Sequence, residues 1–175
     1  MDLRPSAKAQ DLLARLKDFM DAHIYPNEKA YAEQLAEASN RYAPMPLMDE
    51  LKAKAKAAGL WNLFVPEEYG QYSVCGGLSF LDYAPLCEEM GRVLWAAEVF
   101  NCSAPDTGNM EVLMKYATDA QRERWLTPLL AGDIRSSYAM TEPQVASSDA
   151  TNIELRIEKD GDEWGLNGPR GFITG

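Results

Sequence analysis

The sequence predicts an α+β chain, with an all-α helical amino-terminal domain over residues 1–134 followed by an incomplete antiparallel β-domain over residues 135–175. Three observations carry this expectation. Apolar residues recur at helical spacing up to about residue 134. Cap and stop residues bracket those runs. After Ile134 the pattern changes to alternation of apolar and polar residues, punctuated by Gly-containing turn pairs.

Ser6 is placed to cap a first helix, in which Leu12, Leu13, Leu16, Phe19, Met20 and Ile24 form one apolar stripe. Pro26 is expected to close that helix. A polar, Ala-rich run from Asn27 to Ser39 predicts a second, more exposed helix. Pro46 suits the first turn of a third. Asp49 and Glu50 near its start and Lys52, Lys54 and Lys56 towards its end complement the helix dipole, and Gly59 supplies a stop. Leu60 to Gly77 is aromatic and Gly-rich without a period, which predicts an ordered loop. Ser79 and Asp82 give a helix start, with the end near Gly91. Further helices are expected over Leu94–Phe100 and Thr107–Tyr116. Thr118 and Gln121 then form a T-x-x-Q capping box ahead of Trp125, Leu126, Leu129 and Leu130. Pro128 should kink this last element, and Gly132 should end it.

In the β part, Ser136–Met140 predicts a short strand. Leu155 and Ile157 alternate with Glu154, Arg156 and Glu158. Asp160-Gly161 marks a turn, Trp164 and Leu166 alternate again, Asn167-Gly168 reads as a hairpin turn, and Phe172-Ile173 begins another strand. About four strands with open edges cannot close by themselves. The β-domain is therefore expected to be incomplete.

Composition narrows the function. With 175 residues, of which 46% are hydrophobic, the chain can bury one core and part of a second. A net charge of −10 argues against nucleic acid as a partner, and no basic amphipathic stretch argues for a membrane surface. No apolar run approaches the ~20 residues needed to span a bilayer, and no signal-peptide core follows Arg4. Cys75, Cys87 and Cys102 lack CxxC spacing and read as reduced thiols of a cytoplasmic protein. One histidine and no cysteine pair offer no zinc ligand set.

The stretch with chemical interest is Tyr138–Asp149, YAMTEPQVASSD. It runs from the expected strand into a Pro-initiated loop rich in hydroxyls. Backbone N–H groups and hydroxyls at close quarters suit a planar polar ligand carrying phosphates. By residue type alone, a plain surface loop capped by Ser and Asp is the simpler alternative.

The motif TEPQVASSDATN, preceded by Tyr138-Ala139-Met140 and followed by DGDEWGLNGPRGFITG, resembles the acyl-CoA dehydrogenases. The order also resembles theirs: a helical domain, this motif, then a hairpin ending in a [W/F]-I-T-[G/N] signature. The resemblance implies FAD-dependent α,β-dehydrogenation of an acyl-CoA thioester, with hydride passing to flavin N5, an electron-transfer flavoprotein as acceptor, and a homo-oligomer. It implies that Tyr138, Met140 and Thr141 contact the flavin ring, and that Ser147 and Ser148 lie near the pyrophosphate. Ser148 would also face the acyl-CoA thioester arm. Phe172 would pack on the isoalloxazine beside Ile173, and the Thr174 hydroxyl would lie beside N5. Two departures stand out. The loop is one residue longer than the common T-E-P-x-A-G-S-D, and Phe172 stands where Trp is usual. The family's catalytic base, a glutamate of a carboxyl-terminal helical domain, has no counterpart in these residues, so no catalytic residue is assigned. Relatives of this fold that oxidise nitroalkanes or act as flavin-dependent hydroxylases are the alternatives, together with a non-catalytic helical interaction module.

Other residues invite attention. Glu142 is expected to orient the loop rather than serve as a base, because a base must reach the substrate carbon. Asp149 should cap the following turn. His23, Cys87 and Cys102 read as structural, and Glu88-Glu89 as a solvated helix face. Trp61, Phe64 and Tyr69 read as core first and as walls of an acyl pocket second.

Overall fold

A computed structural model of the chain describes residues 4–40, 45–171 and 173. Among the described residues, eight α-helical segments, short π and 3-10 segments and one β-hairpin make up the regular structure. The helices are α1 (Ala7–Phe19), α2 (Glu28–Glu37), α3 (Pro46–Ala57), α4 (Phe80–Met90), α5 (Ala96–Val99), α6 (Asp106–Tyr116), α7 (Asp119–Gln121) and α8 (Thr127–Ala131). Strands β1 (Arg156–Asp160) and β2 (Glu163–Asn167) pair antiparallel. The expected class, helical first and antiparallel β second, is the observed one.

The Ser6 hydroxyl accepts the Ala9 N–H at 3.2 Å and starts α1. The stripe beneath it is buried at Leu12, Leu16, Phe19, Met20 and Ile24. Pro26 does not close this helix into a loop. A π turn (Met20–Ile24) and a 3-10 turn (Tyr25–Asn27) carry the chain into α2 without leaving helical geometry. Proline is tolerated there because it sits at the start of its turn, where its missing N–H costs nothing. No residue of α2 is buried, as its composition predicts.

Pro46 opens α3, and Gly59 follows its last turn with φ +65°, a left-handed conformation that favours glycine. The Arg15 guanidinium donates to the Ala58 carbonyl at 2.5 Å and caps this helix end from α1. The Leu60–Gly77 segment is ordered, with Leu60, Trp61, Leu63, Phe64 and Val65 in the core. Leu78 donates its N–H to the Val65 carbonyl at 2.9 Å and closes the segment. The Ser79 hydroxyl caps α4. Asp82 turns elsewhere: its carboxylate accepts the Ser6 N–H at 2.7 Å, so each of α1 and α4 begins against the other. Wholly buried Leu16, Leu51, Leu86 and Met110 join α1, α3, α4 and α6 in one core, each contributing about 2 kcal/mol by burial.

The expected helix at Leu94–Phe100 shrinks to α5, and Leu94 is fully exposed. The capping box forms as read: Thr118 accepts the Gln121 N–H at 3.3 Å and Gln121 accepts the Thr118 N–H at 2.9 Å. A π turn (Arg122–Leu126) absorbs the irregularity ahead of Pro128. Gly132 (φ +74°) ends α8, and a Cβ added there would stand 2.8 Å from the Trp61 ring.

A buried polar staple holds α8. Asn101 Nδ2 donates to Asn62 Oδ1 at 2.7 Å and to the Leu129 carbonyl at 3.0 Å. Asn62 Nδ2 and Trp61 Nε1 both donate to the Leu130 carbonyl, at 3.0 and 2.8 Å. The open carbonyls of a helix end are thereby satisfied away from water.

The expected strand beginning at Phe172-Ile173 falls where Phe172 lies outside the described residues. Among the described residues there is one two-stranded sheet. Tyr138 forms an isolated β-bridge within Ser136–Met140, and among the described residues this segment belongs to no ladder; Asp106, Asn109 and Arg170 hold several of its polar groups. Asn167 is the last residue of β2, and Gly168 is a bend after it. Within the hairpin, Ile157 faces Leu166 and Lys159 faces Trp164 on one side, so the alternation is as read.

Candidate functional site

Residues of the loop Tyr138–Asp149, the Glu154-Leu155 segment ahead of β1 and the residues after β2 make one small assembly. Its centre is Glu142. Both carboxylate oxygens are used: Oε2 accepts the Glu154 N–H and Oε1 accepts the Leu155 N–H, each at 2.9 Å. The Arg170 guanidinium lies 2.8 Å from Oε1 and also donates to the Met140 carbonyl at 2.6 Å. The Gly171 N–H donates to the Thr141 carbonyl at 2.9 Å. The Glu142 N–H donates to the buried Ser147 hydroxyl at 2.8 Å, which folds the loop back on itself. The Glu154 N–H bond, followed by that of Leu155 and the Arg170 charge, holds the Glu142 carboxyl below its usual range against the opposing effect of burial. Glu142 is thus a loop organiser, as its sequence position suggests. With three donors on its two oxygens, it is poorly suited to take a proton.

Asp149 caps the turn that follows. Its carboxylate accepts the Thr151 hydroxyl at 2.7 Å and the Thr151 N–H at 3.0 Å, and these bonds lower its pKa. Glu142 is thus buried within the assembly, whereas Asp149 is exposed and spends its carboxylate on a local turn.

The remaining groups point out. Tyr138 and Ser148 are exposed, and Met140 and Thr141 are half-buried. The Ser148 hydroxyl makes no hydrogen bond among the described residues. The two adjacent serines have separate tasks, Ser147 anchoring the loop and Ser148 facing solvent. Ile173 is exposed, while Phe172 and Thr174 lie outside the described residues. The geometry brings together Met140, Thr141, Ser147 and the residues leading to Ile173. Sequence reading missed Arg170. A single cation between Pro169 and Gly171, directly ahead of the second signature, was the available signal.

The helical part corrects two readings. Cys87 is exposed rather than in the core, whereas Cys102 is buried and its thiol is pushed up to about 12 by that burial. Glu89 is not solvated. It is buried, accepts the Tyr25 hydroxyl at 3.0 Å and pairs with Arg92 at 3.2 Å. Glu88 stays exposed, because α4 turns successive residues to different faces. Trp61 and Phe64 are core, and Tyr69 packs at its edge. His23 rests edge-on against Phe19, with ring centroids 4.8 Å apart.

Comparison with known proteins decides the family. The profile of the acyl-CoA dehydrogenase N-terminal domain matches residues 6–133. The chain belongs to the acyl-CoA dehydrogenase family. It is 49% identical to acyl-CoA dehydrogenase family member 11 of Gallus gallus, over 97% of this chain and 21% of that protein. It thus spans about a fifth of that relative's length. A solved Mycobacterium abscessus structure assigned to the acyl-CoA dehydrogenases is 50% identical, with TM-score 0.87, covering 98% of this chain and 43% of that one. A glutaryl-CoA dehydrogenase from Mycobacterium smegmatis, in complex with FADH2, shares the fold with TM-score 0.64 at 22% identity, covering 98% of this chain and 40% of that one. In this family member no described helix is long and apolar enough to cross a membrane.

Proposed function

We propose that the chain supplies the flavin-facing loop of an FAD-dependent enzyme that dehydrogenates acyl-CoA thioesters between the α and β carbons. The observation that carries this reading is the Glu142–Arg170 clamp, which joins the two signature segments and leaves hydroxyl and backbone groups outward. FAD fits the donor set. Exposed Ser148 and half-buried Thr141 offer hydroxyls, and the Glu142 charge is compensated by Arg170. Tyr138, Met140, Thr141, Ile173, Phe172 and Thr174 would hold the ring, and Ser147 and Ser148 the pyrophosphate side, with Ser148 also meeting the thioester arm. The bound flavin would supply the hydride acceptor at N5.

This chain's own groups bind, orient and exclude water. The Ser147–Glu142 bond fixes the loop before ligand arrives, which limits the entropy cost of binding. No group here is assigned as the base. Residues 1–134 form the helical domain and 135–175 the start of the β-domain in this reading. The whole protein would be cytoplasmic and homo-oligomeric and would pass electrons to an electron-transfer flavoprotein.

The test is anaerobic mixing of the purified natural protein with acyl-CoA esters. Bleaching of oxidised flavin supports the reading. Flavin that bleaches with a nitroalkane and not with any acyl-CoA would replace it by the nitroalkane oxidase-like alternative.

A further inference from the structure

Resting on the flavin reading, we propose that Asp106 and Asn109, one turn apart on α6, are positioning residues that aim the segment Tyr138–Thr141 at the cofactor. Asp106 is almost wholly buried in the first turn of α6, yet its carboxylate does not cap its own helix. Oδ1 accepts the Ser136 N–H at 2.7 Å and the Ser136 hydroxyl at 2.6 Å, and Oδ2 takes the Arg135 Nε at 2.5 Å. Asn109 Nδ2 donates to the Ser136 hydroxyl at 2.8 Å and to the Ser137 carbonyl at 3.2 Å. Residues at i and i+3 share a helix face, so the two side chains reach one stretch of chain, Asp106 meeting Arg135 and Ser136, and Asn109 meeting Ser136 and Ser137.

The anchor is braced from two more helices. Arg135 also pairs with Glu98 at 2.6 Å, and Lys52 reaches the same Glu98 oxygen at 2.8 Å. The charge of buried Asp106 is therefore compensated, as a buried carboxylate requires.

The consequence lies downstream. The backbone is held at residues 135–137 by α6, and again at the Met140 and Thr141 carbonyls by Arg170 and Gly171. Only Tyr138 and Ala139 separate the two clamps. An extended chain alternates its side chains, so fixing both ends fixes which face Tyr138 and Met140 present. A helix-packing role alone would not need three polar contacts to Ser136.

The test uses the natural flavin-loaded protein with Asn109→Ala, and Ser136→Ala as a second variant. A merely structural role for Asn109 predicts a lower melting temperature, from the two lost hydrogen bonds, with flavin release and flavin circular dichroism unchanged. The proposal predicts roughly tenfold faster flavin release, an altered visible circular dichroism of the bound flavin, and faster amide exchange at residues 136–141. Unchanged exchange in both variants overturns it, as does faster exchange with unchanged flavin release. A parent protein without flavin removes the functional reading. The template is then judged on exchange alone, faster exchange supporting it and unchanged exchange overturning it.

Discussion

Arg170 lies 2.8 Å from the Glu142 carboxylate, and this pair fastens the residues ahead of the second signature to the loop of the first. The two residues are 28 positions apart and flank the β-hairpin. Each has little exposed side chain, 16% for Arg170 and 4% for Glu142. Charge-assisted bonds of this kind are stronger and more directional than neutral ones.

Glu142→Gln leaves one carbonyl oxygen where two carboxylate oxygens served three donors. The Arg170 charge also loses its counter-ion. The expected outcome is at least roughly tenfold weaker flavin retention, with the helical core intact. Flavin released on gel filtration measures it, with far-ultraviolet circular dichroism as the control for folding.

The same carboxyl sets a pH dependence. Its folded-state pKa is lowered, first by the Glu154 N–H bond. The stabilisation is therefore complete above the unfolded glutamate value of about 4.3. It is lost as pH falls through the lower folded value. Amide exchange at Glu154 and Leu155 should stay protected near neutrality and rise on acidification below that range. Protection that is lost already between pH 8 and 6 would contradict this assignment.

The helical part answers to Asn101. Asn101→Ala removes the bonds to Asn62 and the Leu129 carbonyl, and it leaves a residue at φ +55° without asparagine's tolerance for that region. A loss of about 2–3 kcal/mol is expected. Thermal unfolding should show a fall of roughly 4–10 °C.

The thiols should separate by reactivity. Cys87 is exposed, and Cys102 is buried with its pKa pushed up to about 12. Alkylation followed by mass spectrometry should label Cys87 first, with native Cys102 slower by on the order of a hundredfold or more. Equal rates would place Cys102 outside the core.

Much of this was legible in residue order. Ser6, Pro46, Gly59, Ser79, Thr118, Gln121 and Gly132 act as caps or stops in the structure, because these signals depend on a few neighbouring residues. Long-range partners were not legible. Nothing near Asp82 announces that its carboxylate will meet Ser6, and nothing near Asp106 announces Arg135 and Ser136. Cys87 and Glu89 were misplaced because α4 is apolar on more than one side and has no sharp stripe. Of the expected strand at Ser136–Met140, Tyr138 carries an isolated β-bridge, while side chains of α6 and Arg170 take several of the neighbouring polar groups. The signatures at Tyr138–Asp149 and Phe172–Thr174 supplied the family. Their residue types alone would have read as a capped loop.

The central claim is most directly tested by purifying the protein from its natural gene and recording its visible absorbance before and after anaerobic addition of acyl-CoA. Flavin absorbance that bleaches on addition is the predicted result, and Glu142→Gln should lose the flavin. A folded protein that carries no flavin, and takes up none when FAD is added, would contradict the account.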